Sequence, residues 1–315
     1  MNTPIISVDQ LKKAYGEKIV LDGLSFQVNE GSIFALLGEN GAGKTTTVQI
    51  LSTLIRSDAG IAKVAGYDCG SEKKSVRKLI SLTGQFTAVD ELLTGEENMH
   101  MMARLNHLRG ADAKQQTQEL LEKFDLIKVA KRPVKTYSGG LKRRLDIAIS
   151  LLGSPKIVFL DEPTTGLDPI SRMNMWRIIK DLANNGVTIF LTTQYLEEAD
   201  QLANHIAVIN QGRIVAEGSS AELKRLVGEE KVVFQFENEH DFAKAEEHVG
   251  IGAFAEKSEL RLSVNTDGSG ERLRVLLNDL HHIGVEPASV QFRKPTLDDV
   301  FMKMISEKKK EVVSL

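Results

Sequence analysis

The stretch Gly38-Glu39-Asn40-Gly41-Ala42-Gly43-Lys44-Thr45 carries residue types and a spacing that can bind a polyphosphate, G-x-x-x-x-G-K-[ST]. Glycines let backbone N–H groups curve around phosphate oxygens with no side chain in the way. A helix starting after them turns the positive end of its dipole toward the same anion. In such a loop Lys44 reaches the β- and γ-phosphates, and the Thr45 hydroxyl ligates Mg2+. A second cluster is Asp161-Glu162, two carboxylates that close the apolar run Ile157-Val158-Phe159-Leu160. A carboxylate at a strand end beside a glycine loop can hold Mg2+, directly or through water, which is the role expected of Asp161. Glu162 then faces the attacking water as general base or orienting group. Two solvated acids at an exposed strand end are the alternative. The third stretch runs from Tyr137 through Ser138, Gly139 and Gly140 into Leu141-Lys142-Arg143-Arg144-Leu145. Serine is a good N-cap, and bare glycines let a helix tip approach an anion. Taken alone, Ser-Gly-Gly before a helix is an ordinary cap.

The flanking residues predict the elements that position these groups. Ile33–Leu37 reads as a buried strand entering the glycine loop. Val48, Leu51 and Ile55 recur at helical spacing after it, and Ser57-Asp58-Ala59-Gly60 reads as the helix end. Leu24, Phe26 and Val28 alternate with polar residues as in a half-buried strand, with Tyr15 in a turn-like stretch, Lys12 to Gly16, ahead of it. Leu79-Ile80-Ser81-Leu82 is strand-like, and residues 92–129 read as mostly helical. The apolar runs 157–160 and 188–191 fit central parallel strands. Ile206–Ile209, Asn210-Gln211-Gly212 and Arg213–Val215 read as a hairpin. Composition shifts near Gly228 to Lys231. Beyond it come two strands (232–236, 260–264), two helices (241–249, 272–282) and a loop over Thr266–Gly270, a small α+β domain. Thr296 with Asp299 fits a capping pattern at a further helix start. Lys308-Lys309-Lys310 reads as a solvated helix end.

The chain has 315 residues, 42% hydrophobic and 26% charged, which suggests about two domains of ordinary soluble composition. A formal net charge of -3 provides no basic field for nucleic acid, and no nucleic-acid partner is expected. A single cysteine, Cys69, cannot form an internal disulfide and fits a reducing compartment. No stretch approaches the ~20 apolar residues of a spanning helix. The first residues lack the basic and apolar regions of a secretory signal. A cytoplasmic location is expected, with any membrane role exercised through a partner. The seven histidines have no metal-ligand spacing. Met99, Met101, Met102 and Trp176 read as packing, and Cys69 as an inert small side chain.

In their order, the glycine loop, Gln85 after the strand-like 79–82, Ser138-Gly139-Gly140, and Asp161-Glu162 followed by Gly166-Leu167-Asp168 resemble an ATP-binding-cassette (ABC) ATPase over nearly all of residues 4–220. The resemblance implies an α/β P-loop NTPase core with an antiparallel β subdomain and an α-helical subdomain at about 86–150. The ATP-binding domain would span 1–225, the accessory α+β domain 229–306 and a tail 307–315. It implies ATP and Mg2+ as ligands. ATP contacts would come from Tyr15 stacking on adenine, from Gly38, Asn40, Gly41, Ala42, Gly43, Lys44, Thr45, Thr46, Gln85 and Asp161, and from Ser138, Gly139 and Gly140 of a second copy. Metal ligands would be Thr45, Gln85 and Asp161. Asp168 would lie at the seam of a head-to-tail dimer, most simply a homodimer.

Where the family usually has a histidine, Leu191-Thr192-Thr193-Gln194-Tyr195 presents Gln194. A glutamine amide can hydrogen-bond a γ-phosphate but carries no charge and shuttles no proton. Gln194 is therefore expected to be a neutral γ-phosphate sensor, with the base role on Glu162 and Lys44 the third catalytic residue. A helix-capping role for Gln194 is the alternative. Thr193–Ala203, Arg293–Phe301 and Thr83–Asp90 are similar to the ATP-binding subunits of daunorubicin-resistance-type bacterial drug exporters. That implies ATP hydrolysis driving export through a separate transmembrane permease, with this chain peripheral on the inner face of the membrane. A soluble ABC ATPase not coupled to transport, an importer or lipid-type ABC ATPase, and a cassette that binds ATP without cleaving it are the alternatives.

Overall fold

A computed structural model describes residues 4–84, 88–227, 230–249, 253–266 and 269–304. The chain divides into two compact units, residues 1–220 and 221–315. The first begins with strands β1 (Ile6–Tyr15), β2 (Lys18–Val28) and β3 (Ile33–Leu37), then helix α1 (Lys44–Leu51). Strands β4 (Ala59–Val64) and β5 (Tyr67–Asp68), helix α2 (Lys73–Arg77) and strand β6 (Ile80–Thr83) follow. Three helices come next: α3 (Gly95–Leu105), α4 (Gly110–Lys123) and α5 (Gly139–Ser150). The remainder alternates: β7 (Ile157–Asp161), α6 (Pro169–Asn184), β8 (Thr188–Thr193), α7 (Leu196–Leu202), β9 (His205–Asn210) and β10 (Arg213–Gly218). Helix α8 (Ser220–Arg225) begins at the last residue of the first unit and runs into the second.

Two sheets organise the first unit. One is antiparallel, in the order β2-β1-β4-β5. The other has the order β10-β9-β3-β8-β7-β6, parallel except for β10. Every residue of β3, β7 and β8 is buried, as continuous apolar runs covered on both faces require. Phe190 packs on Phe34 at 5.2 Å, on Phe159 at 5.4 Å and on Phe26 at 5.8 Å between ring centroids, joining the two sheets. α3 begins at a reciprocal capping box: Glu97 N–H donates to Thr94 Oγ1 at 3.2 Å, and Thr94 N–H donates to Glu97 Oε2 at 2.8 Å.

Two expected boundaries differ. Lys12–Tyr15 belongs to β1, and the turn is at Gly16-Glu17. Pairing of Ala14 with Ile19 and Tyr15 with Lys18 supplies the hydrogen bonds that hold this polar stretch extended. α1 stops at Leu51, because Thr53 turns left-handed (φ 64), and Ala59-Gly60 opens β4 instead of closing the helix. Ile55 packs on the core from beyond the helix, so its helical spacing was coincidental.

The second unit contains β11 (Glu230–Gln235), α9 (Glu239–Val249), β12 (Ala253–Glu256), β13 (Arg261–Thr266), α10 (Gly270–His282) and β14 (Ser289–Arg293). The sheet order β12-β13-β11-β14, antiparallel throughout, makes this a ferredoxin-like βαββαβ unit. Val232, Phe234, Leu262 and Val264 on one sheet face pack with Phe242, Ala245, Leu276 and Leu280 of the two helices. Thr296 and Asp299 bond reciprocally at the start of a helical stretch, residues 297–304.

Phe190→Ala removes the ring shared by three aromatic contacts and is expected to destabilise the first unit by about 3–5 kcal/mol. Urea unfolding followed by circular dichroism measures it, and an unchanged midpoint would contradict this account of the core.

Candidate active site

Parallel pairing aligns the C-terminal ends of β3, β8 and β7. Leu37 lies opposite Thr193, and Thr192 opposite Asp161. The chain then leaves β3 as the glycine loop. Gly38 N–H donates to Thr193 O at 3.1 Å, and a Cβ on Gly38 would sit 2.3 Å from Ile209 O, so no other residue fits. Gly43 caps α1 with φ 111, a conformation glycine adopts without strain. Gly41 is also left-handed, and a Cβ there would meet no atom within 4 Å, so its φ of 83 rather than crowding favours glycine.

Lys44, the first residue of α1, is 5% exposed. Its ammonium donates to Gly38 O at 2.8 Å and Glu39 O at 3.1 Å and lies 3.6 Å from Glu162 Oε1. Burial lowers its pKa, and the negative charges of Glu162 and Asp161 oppose that shift. Asp161, at the end of β7, accepts hydrogen bonds at Oδ1 from the Thr192 hydroxyl and, at 3.4 Å, from Thr45. Glu162 has φ 49, a left-handed geometry that is strained for a residue with a Cβ. Its N–H is held by Thr192 O at 3.1 Å, and the Thr165 hydroxyl donates to its Oε2 at 3.2 Å. The two carboxylates are thus gathered beside the lysine rather than solvated apart.

Three buried charged residues escaped the sequence reading as site elements. Arg143 and Asp146, each 5% exposed, pair at 3.2 Å inside α5. Burial lowers the pKa of Arg143, although a guanidinium starts high enough to stay charged, and it raises the Asp146 carboxyl against the pull of Ala88 N–H and Arg143. Glu198 is fully buried in α7. Its Oε1 accepts from Thr164 Oγ1 at 2.7 Å and Trp176 Nε1 at 3.3 Å. Burial raises its pKa, against the hydrogen bonds and the charge of Arg172. Their signal in the sequence was charge at positions whose helix neighbours, Leu145, Ile147 and Ala199, are apolar and buried.

The other expected residues occupy separate places. Tyr15 ends β1, half exposed, with Lys13 Nζ 5.5 Å from its ring centroid. Ser138 is the N-cap of α5, accepting from Leu141 N–H at 3.4 Å, and both it and Gly139 are exposed. Gly140 is buried, and a Cβ there would sit 2.6 Å from Ser171 Oγ. Asn40 is exposed and Thr46 half-buried at the loop and helix start. Asp168 caps α6, accepting from Ser171 N–H at 2.9 Å, and the Ser171 hydroxyl and N–H lower its pKa. Gln194 follows β8, half-buried; α7 is capped by Tyr195 without a side-chain bond, so Gln194 does not serve as that helix's N-cap. Gln85 lies outside the described residues, between Gly84 and Ala88. Cys69 is buried, with its thiol pushed up to about 12, as an inert packing residue would be.

Among the described residues no group of three His, Cys, Asp or Glu side chains could cage a metal. The Thr45 hydroxyl beside the Asp161 carboxylate is instead a pair of hard oxygen donors. It suits a Mg2+ ion whose remaining ligands are phosphate oxygens and water.

The pattern of the ABC transporter family matches residues 21–165. A daunorubicin resistance ATP-binding protein of Streptomyces coeruleorubidus is 44% identical over 303 residues, 95% of this chain and 94% of its own. A doxorubicin resistance ATP-binding protein of Mycobacterium tuberculosis is 42% identical over 311 residues, 96% and 94% of the two chains. Among solved structures, an ATP-binding subunit of an ABC transporter is similar at TM-score 0.63 and 26% identity, covering 70% of this chain and 92% of that one. Such identity, sustained through both units and over a phosphate loop of this geometry, leaves one conclusion: the chain belongs to the ABC transporter family, as one of its ATP-binding, ATP-hydrolysing subunits.

Proposed function

We propose that this chain hydrolyses ATP with Glu162 as the water-activating residue and uses the cycle to drive export of a drug-like compound through a separate membrane permease. The observation that carries the catalytic part is the meeting of Lys44, Asp161 and Glu162 beside the glycine loop. Backbone N–H groups of Gly41, Ala42 and Gly43 hold the phosphates at the start of α1, and Lys44 neutralises charge on the β- and γ-oxygens. To do so its ammonium exchanges the Gly38 and Glu39 carbonyls for phosphate oxygens. Thr45 and Asp161, with Gln85 as a further ligand, would hold Mg2+, which would supply charge neutralisation at the phosphates. Thr192 holds the Asp161 carboxylate in place. Glu162, fixed by Thr192 and Thr165, accepts a proton from the attacking water. Gln194 donates a hydrogen bond to the γ-phosphate and Tyr15 stacks on adenine.

The exposed tip Ser138-Gly139 faces away from its own chain's packing, which supports a head-to-tail dimer in which it completes the partner copy's phosphate site. Hydrolysis removes the bridging charge, and the two copies part. No helix among the described residues is long and apolar enough to cross a membrane, which supports a separate permease with this chain peripheral on the inner membrane face. The resistance named in relatives matched along 94% of their length favours drug export over import.

Glu162→Gln is expected to bind ATP, cut turnover roughly 100-fold or more, and accumulate as an ATP-dependent dimer on size-exclusion chromatography. Wild-type phosphate release by that variant would assign the base elsewhere. Gln194→Ala should lower turnover about tenfold, the worth of one charge-assisted hydrogen bond, while Gln194→His retains most of it; unchanged turnover in the alanine variant would remove the sensor role. In cells carrying the chain with its permease, a tagged chain should co-purify with an integral membrane protein, and resistance to an anthracycline should fall with Glu162→Gln. Equal resistance in wild type and variant would contradict drug export.

A further inference from the structure

We infer that Arg143 and Asp146 are a positioning pair for hydrolysis, locking the reactive end of β7 to the helix that carries Ser138. The inference rests on the reading of Asp161 and Glu162 given above. The Arg143 guanidinium makes four hydrogen bonds, three to backbone carbonyls and one to a carboxylate. Nε donates to Pro163 O at 2.9 Å and Nη2 to Asp161 O at 3.3 Å. Nη1 donates to Gly84 O at 2.7 Å and Asp146 Oδ2 at 3.2 Å. The other Asp146 oxygen accepts Ala88 N–H at 3.1 Å.

The carbonyls of Asp161 and Pro163 belong to the residues on either side of Glu162. Glu162 is the residue held at φ 49, and such a turn persists only when its surroundings over-determine it. One planar fork grips the chain before and after the strained residue and so fixes where its carboxylate points. A lysine ammonium, a compact point charge with rotating donors, cannot reproduce that geometry. The same pair holds Gly84 and Ala88, so the chain on both sides of Gln85 is tied to the same helix turn.

Packing does not require a charged pair here. Leu145, Ile147 and Ala148 already bury the helix; what the pair adds is hydrogen bonds to the Gly84, Asp161 and Pro163 carbonyls and the Ala88 N–H. Arg143 lies on the second turn of α5, whose first turn is capped by Ser138. A displacement of the Ser138 tip as a second copy engages it is therefore passed through one rigid side chain to the Glu162 turn.

The experiment compares wild type, Lys44→Ala, Arg143→Lys and the double variant Arg143→Met/Asp146→Leu by steady-state phosphate release and thermal unfolding. Arg143→Lys and the double variant are expected to lose about tenfold or more in kcat, as misplacement of a reacting group does. KM for ATP should change less than about twofold because the phosphate loop is untouched. Tm should stay within about 3 °C in Arg143→Lys and fall further in the double variant, which leaves the Gly84, Asp161 and Pro163 carbonyls and the Ala88 N–H without these partners. A wild-type kcat in either variant overturns the inference. So does a loss of kcat that tracks a fall in Tm in both, which would mark the pair as structural. An inactive wild type, or full activity in Lys44→Ala, would instead refute the site assignment itself. Active wild type, inactive Lys44→Ala and active Arg143→Lys would sink this inference alone.

Discussion

The parallel register of β3, β8 and β7 is the constraint on which the rest depends. With Leu37 opposite Thr193 and Thr192 opposite Asp161, three strand ends deliver a phosphate loop, a hydroxyl and a carboxylate to one edge. A slip of one residue in β8 would turn the Thr192 hydroxyl to the other face, leaving Asp161 without its short-range partner. That register is enforced by complete burial of all three strands and by the Phe26, Phe34, Phe159 and Phe190 rings between the sheets. Side chains that never touch a nucleotide thereby set the position of those that would.

A second theme is charge taken out of water. Lys44, Asp161, Arg143, Asp146 and Glu198 are all buried in one region. Each would be costly alone, and burial is the largest cause of every pKa shift recorded among them. They persist because each is paired or accepts several hydrogen bonds. The result is a set of buried charges whose orientations are fixed by their partners before any ligand arrives. The left-handed Glu162 belongs to the same arrangement, strain held in place by Thr192, Thr165 and the Arg143 fork.

The two units were legible to different degrees. In the first, glycine spacing, apolar runs and strand-end acids are local signals, and β3, α1, β7 and β8 lie where those signals point. In the second, Val232–Phe236 and the two helices carry strong periodicity, but β12 and β14 do not. Phe254 and Phe292 are exposed on short edge strands; β12 shows no polar alternation, and β14 alternates Val290 and Phe292 with polar neighbours over only five residues. They are strands because β13 and β11 offer unpaired backbone edges, which is a property of the sheet rather than of the segment. The tail of β1 is the same case: Lys12–Tyr15 is extended because β2 pairs with it.

What the sequence by itself determined was chemistry with a short reach. A phosphate loop needs consecutive glycines and a lysine, and a strand-end Asp-Glu needs adjacent residues, so their signatures survive in one dimension. Which distant groups would hold them was decided only by tertiary structure. Thr192 reached Asp161 across 31 positions, and Arg143 reached Pro163 across 20 and Gly84 across 59. Nothing in the spacing of those residues encodes their meeting. It follows from the stacking of α5 on the sheet, and buried polar groups are obliged to find partners wherever the fold brings them.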